Sequence, residues 1–130
     1  MHLQANTFAS VYLENQGKQG FALHELPMEA QWSSINDMLI EDFDQDGNLD
    51  LLVAGNLYAA EVETPRNDAG IGLVLLGDGK GAFDPLSKAE SGFFAPYDVK
   101  SLARINKTTV LVGSNNGPVL QFSWEQRWTK

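Results

Sequence analysis

The stretch that decides the fold is Asp-Phe-Asp-Gln-Asp-Gly-Asn-Leu-Asp, residues 42–50. It holds four aspartates, three of them at alternate positions, and Gly47 stands where the chain must bend. Calcium takes six to eight oxygen ligands at about 2.3–2.6 Å, and acidic residues spaced two apart with a glycine sixth supply such a cage. Without a cation, carboxylates at this density repel one another and raise each other's pKa. We therefore expect a calcium loop whose ligands are the side chains of Asp42, Asp44, Asp46 and Asp50 and the backbone carbonyl of Asn48.

This loop differs from that of an EF-hand, which has twelve positions and closes with a bidentate glutamate. Counted from Asp42, the twelfth position is Val53, which offers no ligand. The flanking segments, 38–41 and 49–55, are short, branched and apolar, which is typical of strands rather than helices. The loop is therefore predicted to connect the two strands of a β-hairpin, with Asp50 in place of the missing glutamate. The alternative is a solvated acidic turn that holds no ion.

Composition bounds the classes of protein to which this chain can belong. Its 130 residues are 43% hydrophobic, which predicts one compact folded domain or a piece of a larger one. A net charge of -8 with scattered basic residues argues against a nucleic-acid partner. The absence of cysteine excludes disulfide scaffolds and thiolate metal sites. No stretch approaches 18 apolar residues, so we expect no transmembrane segment.

An internal repeat organises the chain. Residues 11–21 return as residues 73–83, so that Gly17 aligns with Gly79 and Phe21 with Phe83 at an offset of 62. Each copy is an apolar strand, a glycine-rich turn and an aromatic residue that opens a second strand, which indicates a hairpin.

The second copy of the repeat lacks the acidic loop. Residues 53–56 match residues 112–115 at an offset of 59, so three residues have been lost, and the gap falls on 45–47. Arg104 stands where the first copy has Asp42. We therefore expect a single calcium site, and a shortened turn with a cation in the second copy.

Each repeat unit is predicted to hold about four short strands, within the range of one β-propeller blade. The one long connection runs from 57 to 70, and no segment shows a convincing helical period. The predicted strands lie near residues 8–14, 20–26, 36–42, 49–55, 71–77, 97–104, 108–114 and 118–124. The fold class is thus all-β, with about two four-stranded antiparallel blades, repeat one at approximately 8–70 and repeat two at approximately 71–124.

The run Asp-x-Asp-x-Asp-Gly-x-x-Asp-Leu-Leu-Val at 42–53 resembles the FG-GAP/VCBS repeat family, as do the glycine hairpins at 14–21 and 75–83. The resemblance covers roughly residues 8–124. It implies blades of an integrin-α-like β-propeller, with calcium held by Asp42, Asp44, Asp46, Asn48 and Asp50 between two strands of a blade. It also implies an extracellular or cell-surface location.

A full propeller of this family has about seven blades, and two blades cannot close a ring. The resemblance therefore implies the C-terminal end of a longer bacterial surface or secreted protein, or a unit that self-associates through exposed blade edges. Candidates for such exposed faces are aromatic, namely Trp32, Tyr58, Phe93, Phe94 and Tyr97, and the alternative role of these residues is the ordinary core between blades.

The function that follows is a calcium-stabilised scaffold or binding module with a protein or glycan partner and no catalysis of its own. Only His2 and His24 could serve as histidine bases, and neither lies near a recognisable nucleophile. Two alternatives stay open: a calcium-dependent carbohydrate-binding module of the lectin type, and an accessory part of a larger secreted enzyme.

Overall fold

The computed structural model describes residues 2–124 and 128, and these residues form an almost entirely β structure. Three antiparallel sheets follow one another along the chain. The only helical segments among the described residues are single turns, two of 3₁₀ type at Gly17–Gln19 and Met28–Gln31 and the α-helix α1 at Lys88–Ser91. The strands are β1 Val11–Asn15, β2 Phe21–Glu25, β3 Ile35–Glu41, β4 Asp50–Gly55, β5 Leu73–Gly77, β6 Phe83–Leu86, β7 Val99–Asn106, β8 Thr109–Ser114 and β9 Leu120–Ser123.

Each sheet is a meander of strands that are neighbours in sequence. The N-terminal sheet is the hairpin β1–β2, the central sheet has the order β3-β4-β5-β6, and the C-terminal sheet has the order β7-β8-β9. The prediction of an all-β fold is confirmed. The sheets differ from the expected pair of four-stranded blades, because the described residues form sheets of two, four and three strands. The predicted repeat boundary between 70 and 71 falls inside the central sheet.

All eight predicted strands are present, within three residues at each boundary. The strand that was not placed, β6, is four residues long and contains Pro85, so it shows no apolar alternation. Proline is tolerated there because β6 forms the edge of the central sheet, where a missing N–H leaves no neighbouring strand unpaired.

The central sheet is buried on both faces. In β4 and β5, Leu52 and Leu76 point into a core shared with the C-terminal sheet, whereas Leu51 and Leu75 point into a second cluster with Leu26 and Ala30. Full burial of each such leucine contributes roughly 1.5–3 kcal/mol. The continuous apolar run of β4 is therefore the pattern of a strand sandwiched between two layers.

Polar side chains fasten the first strands of the central and C-terminal sheets to each other. The Asn36 side-chain amide donates to the Val99 carbonyl at 2.7 Å, and the Leu102 N–H donates to Asp37 Oδ2 at 2.7 Å. These bonds lie between β3 and β7, and they fix the strand that leads into the acidic loop against a second sheet.

Asn56, which follows β4, is a fully buried polar residue with a left-handed backbone of φ 94°. Its amide donates to the carbonyls of Gly70 and Tyr97, and its Oδ1 accepts from the Gly70 N–H and the Ser33 hydroxyl. One satisfied side chain thus closes the 57–70 connection at its base.

Candidate metal centre

The acidic loop lies between β3 and β4, in the β-hairpin that the sequence predicts. Its backbone turns back through two left-handed residues, Gln45 at φ 61° and Gly47 at φ 93°. Within the loop, the Asp46 N–H donates to Oδ1 of Asp42 and of Asp44, and the Gly47 N–H donates to Asp42 Oδ2. Successive aspartates therefore shape the turn by accepting backbone N–H groups two to five residues ahead of them.

Asp50 closes the loop from the first position of β4, and its side chain is fully buried. Its Oδ2 accepts from the N–H groups of Phe43, at 2.8 Å, and Asp44, at 3.4 Å. Its Oδ1 accepts from the Gly77 N–H at 2.8 Å, at the end of β5. One carboxylate thus joins the loop to the third strand of the sheet.

Three of the carboxylates converge. One oxygen each from Asp42, Asp44 and Asp50 lies within 4.8 Å of the other two. Two oxygens on opposite sides of a calcium ion are separated by about twice the bond length of 2.3–2.6 Å, so oxygens this close fit around one ion. Each carboxylate has about four lone-pair directions, so the backbone N–H bonds leave acceptor capacity for a cation.

The electrostatics of the cluster also favour a cation. Burial raises the pKa of Asp44, and the charges of Asp50, Asp46 and Asp42 raise it further, against a lowering by the hydrogen bond from the Asp46 N–H. Negative charge at Asp44 is therefore costly in the metal-free protein. A divalent cation between the carboxylates would remove that cost.

The other two predicted ligands are placed differently. The side chain of Asp46 accepts from Asn48 twice, from its N–H at 2.8 Å and from its side-chain amide at 2.9 Å. Asp46 is not among the three residues whose oxygens converge. The contributions of the Asp46 carboxylate and the Asn48 carbonyl to a metal shell stay predictions.

Phe43 anchors the loop in the protein interior. Its ring is 5% exposed and packs on Trp124 and Trp128, at centroid distances of 5.7 Å and 5.4 Å. The sequence offered no reason to bring these tryptophans to the acidic loop, because the contact crosses from the central to the C-terminal sheet. Since Trp128 is buried, it supports the loop from below and offers no stacking surface for a ligand.

Glycines of the β5–β6 hairpin lie directly against the acidic loop, a contact that the sequence pattern does not predict. A Cβ on Gly77 would lie 2.1 Å from the Leu49 carbonyl oxygen, and one on Gly79 would lie 2.2 Å from Asn48 Oδ1. Only residues without side chains allow so close an approach. The glycine-rich turn is the sequence signal for this contact, but glycines are also typical of ordinary hairpin turns.

The equivalent hairpin of the C-terminal sheet, β7–β8, has an arginine side chain at the position of the acidic loop. Arg104, which aligns with Asp42, donates to the carbonyls of Asn106 and Lys107 in the β7–β8 turn and pairs with Glu41 of β3. The guanidinium thus satisfies turn carbonyls in the shortened copy of the loop.

Of the two histidines, His24 lies on β2 and contacts Glu14 of β1, at 3.1 Å between Nε2 and Oε2. Among the described residues, no helix has the length and hydropathy needed to cross a lipid bilayer.

No protein-family model matches the sequence, and neither a curated protein nor a solved structure is significantly similar to it.

Proposed function

We propose that this protein is a calcium-binding β-propeller segment of the FG-GAP/VCBS type, which acts as a scaffold or binding module outside the cell and has no catalysis of its own. The observation that carries the proposal is the convergence of oxygens from Asp42, Asp44 and Asp50 within 4.8 Å. Hard carboxylate oxygens with no histidine or thiolate among them suit calcium better than zinc or copper.

Calcium would act on stability rather than on a reaction. The three carboxylates come from both ends of the acidic loop, and Asp50 also bonds to Gly77 of β5. An ion among them would therefore join β3, β4 and β5. Because the unfolded chain lacks this geometry, calcium would bind the folded state selectively and stabilise it.

The successive packed sheets support the propeller part of the proposal. The central sheet is a four-stranded antiparallel meander, and the C-terminal sheet packs on one of its faces through their first strands. Adjacent propeller blades also pack on one another through their sheet faces, so this packing supports the proposal.

A thermal-unfolding experiment tests the function. Protein dialysed against chelator should gain about 8 °C in Tm at a calcium concentration one hundred times the dissociation constant. Binding then contributes about 2.7 kcal/mol, and each kcal/mol shifts the Tm of a domain this size by roughly 3 °C. Magnesium at the same concentration should give a smaller shift, since it demands tighter octahedral geometry. Equal Tm values in chelator and in calcium would refute the proposal.

A further inference from the structure

A cavity of about 350 Å³ lies at the end of the central sheet opposite the acidic loop. Its apolar lining comes from successive strands of that sheet and includes Ile35, Val53, Leu73 and Pro85. The seven residues of β3 separate this end from the acidic loop, which at roughly 3.3 Å per residue is about 20 Å. The cavity is therefore independent of the candidate metal centre.

The size and lining of the cavity are those of a small-molecule site. Such sites measure about 300–1,000 Å³ and combine an apolar wall with a few polar groups. Trp32 also lines the cavity, with half of its surface (52%) exposed, so its ring is available to a ligand. A cavity of this volume suits a compact ligand.

Three charged residues line the cavity, and they differ in whether their charges already have partners in the protein. Lys88 Nζ lies 3.5 Å from the centre of the Phe94 ring, so its charge is engaged in a cation–π contact. Glu90 caps α1 by accepting from the Ser87 N–H at 2.7 Å. The half-buried Glu29 has no hydrogen-bond or ion-pair partner among the described residues. Among the described residues, the one charged group of the lining without a partner is therefore the Glu29 carboxylate, which is negative.

We propose that this cavity binds a small organic cation with an apolar, aromatic body, whose ammonium group pairs with Glu29. The carboxylate of Glu29 supplies the charge, the Trp32 ring adds attraction for a cation or an aromatic group, and the β-sheet side chains cover the apolar body. The net charge of -8 favours the approach of cations over anions. This binding site goes beyond the proposed calcium function and uses none of its residues.

Three probes of nearly equal shape test the proposal: 2-phenylethylamine, 2-phenylethanol and 3-phenylpropionate. Each is titrated into the ¹⁵N-labelled 130-residue protein, and amide and indole shifts are followed by NMR. The amine should give saturable shifts at the Trp32 indole N–H and at Gly70 and Gly72, which line the cavity. It should bind about fivefold more tightly than the alcohol, the upper end for a part-exposed ion pair, and the acid should bind most weakly.

Matched variants separate charge from shape. Glu29→Gln should reduce the preference for amine over alcohol to about one, while the alcohol still binds. Glu61→Gln, an equivalent change on the exposed 57–70 connection outside the cavity, should leave the preference unchanged. Trp32→Ala should weaken the binding of both the amine and the alcohol.

Several outcomes would overturn the proposal. They are saturable shifts away from the cavity, no saturable binding of any probe, equal binding of amine and acid, or an unchanged preference in Glu29→Gln. The titrations are repeated in chelator. Amine binding should persist there, so a failure of the calcium site leaves this result intact and the two proposals fail separately.

Discussion

Asp44 is the residue whose ionisation couples the acidic loop to pH and to calcium. Its raised pKa, caused by burial and by neighbouring carboxylates, means that the folded state binds a proton more readily than the unfolded chain does. In the metal-free protein, this contribution to stability is present at low pH and is lost as the pH rises through the raised pKa. A cation reverses the sign, because it favours the ionised form.

Asp44→Asn should therefore act in opposite directions with and without calcium. In chelator at pH 7 the variant should be as stable as the original protein or more stable, because a costly charge is removed. In calcium it should be less stable, because one ligand oxygen loses its charge. In chelator, the gain should shrink as the pH is lowered from 7 to an acidic value below the raised pKa of Asp44, where the original side chain is protonated. Urea unfolding at both pH values measures these differences.

Asp78→Asn is the matched control, since Asp78 lies on the neighbouring turn and outside the cluster. Hydrogen bonds from the Lys80 and Ala82 N–H groups lower the pKa of Asp78. Its replacement should thus destabilise the protein slightly, and equally in calcium and in chelator. Two results would count against the metal site: a calcium-dependent change in stability in this control, or an Asp44→Asn change that is the same in calcium and in chelator.

Asp50→Ala should be destabilising in both conditions. The substitution leaves the N–H groups of Phe43 and Gly77 without the carboxylate that they bond in a buried setting. Each unsatisfied buried group costs about 1–3 kcal/mol, so we expect the two together to cost about 2–6 kcal/mol in chelator. Chemical denaturation measures it. A loss that appears only in calcium would show that Asp50 is a ligand without a structural role.

At the scale of elements, the acidic loop depends on the β5–β6 hairpin beneath it. Gly77→Ala should cost about 1–3 kcal/mol, because the added methyl group would overlap the backbone carbonyl of Leu49. It should also weaken calcium binding, since the Gly77 N–H holds Asp50. Gly117→Ala is the control, because it adds a close contact away from the acidic loop. Its Cβ would lie 3.2 Å from the Ser114 Cβ. Denaturation and calcium titration of both variants test this dependence, and equal effects would contradict it.

The sequence predicted elements well wherever a local pattern was enough. The alternation and the glycine turns located eight strands, and the acidic spacing located the β3–β4 loop. The grouping of strands into sheets was not predictable, because it depends on how far each sheet extends before its neighbour packs over it. The contacts of Phe43 with Trp124 and Trp128 and the close approach of Gly77 to Leu49 join residues far apart in sequence. Such contacts cannot be predicted from the spacing of residues along the chain.

At the scale of the whole molecule, the N-terminal sheet leaves one apolar face exposed. Leu13, Phe21 and Leu23 share this face and are 56%, 69% and 50% exposed. The first two align, at the offset of 62, with Leu75 and Phe83 of the central sheet, where the cluster of Leu26 and Ala30 covers them. The repeat therefore predicts a covering layer over the N-terminal sheet as well.

We expect a second copy of the chain to supply that layer, so the protein should self-associate as its concentration rises. Leu23→Glu should shift the molecular mass measured by light scattering toward the monomer, because a charge on the face opposes burial. Ile105→Glu changes an exposed side chain on the C-terminal sheet and should leave the mass unchanged. A strict monomer at high concentration would contradict this expectation.

Calcium titration calorimetry of the metal-free protein, beside its Asp44→Asn variant, is the most direct measurement of the central claim. We predict one ion bound per chain in the original protein and binding at least tenfold weaker in the variant. Absence of saturable heat in the original protein, or equal binding by the two, would contradict a metal centre at Asp42, Asp44 and Asp50.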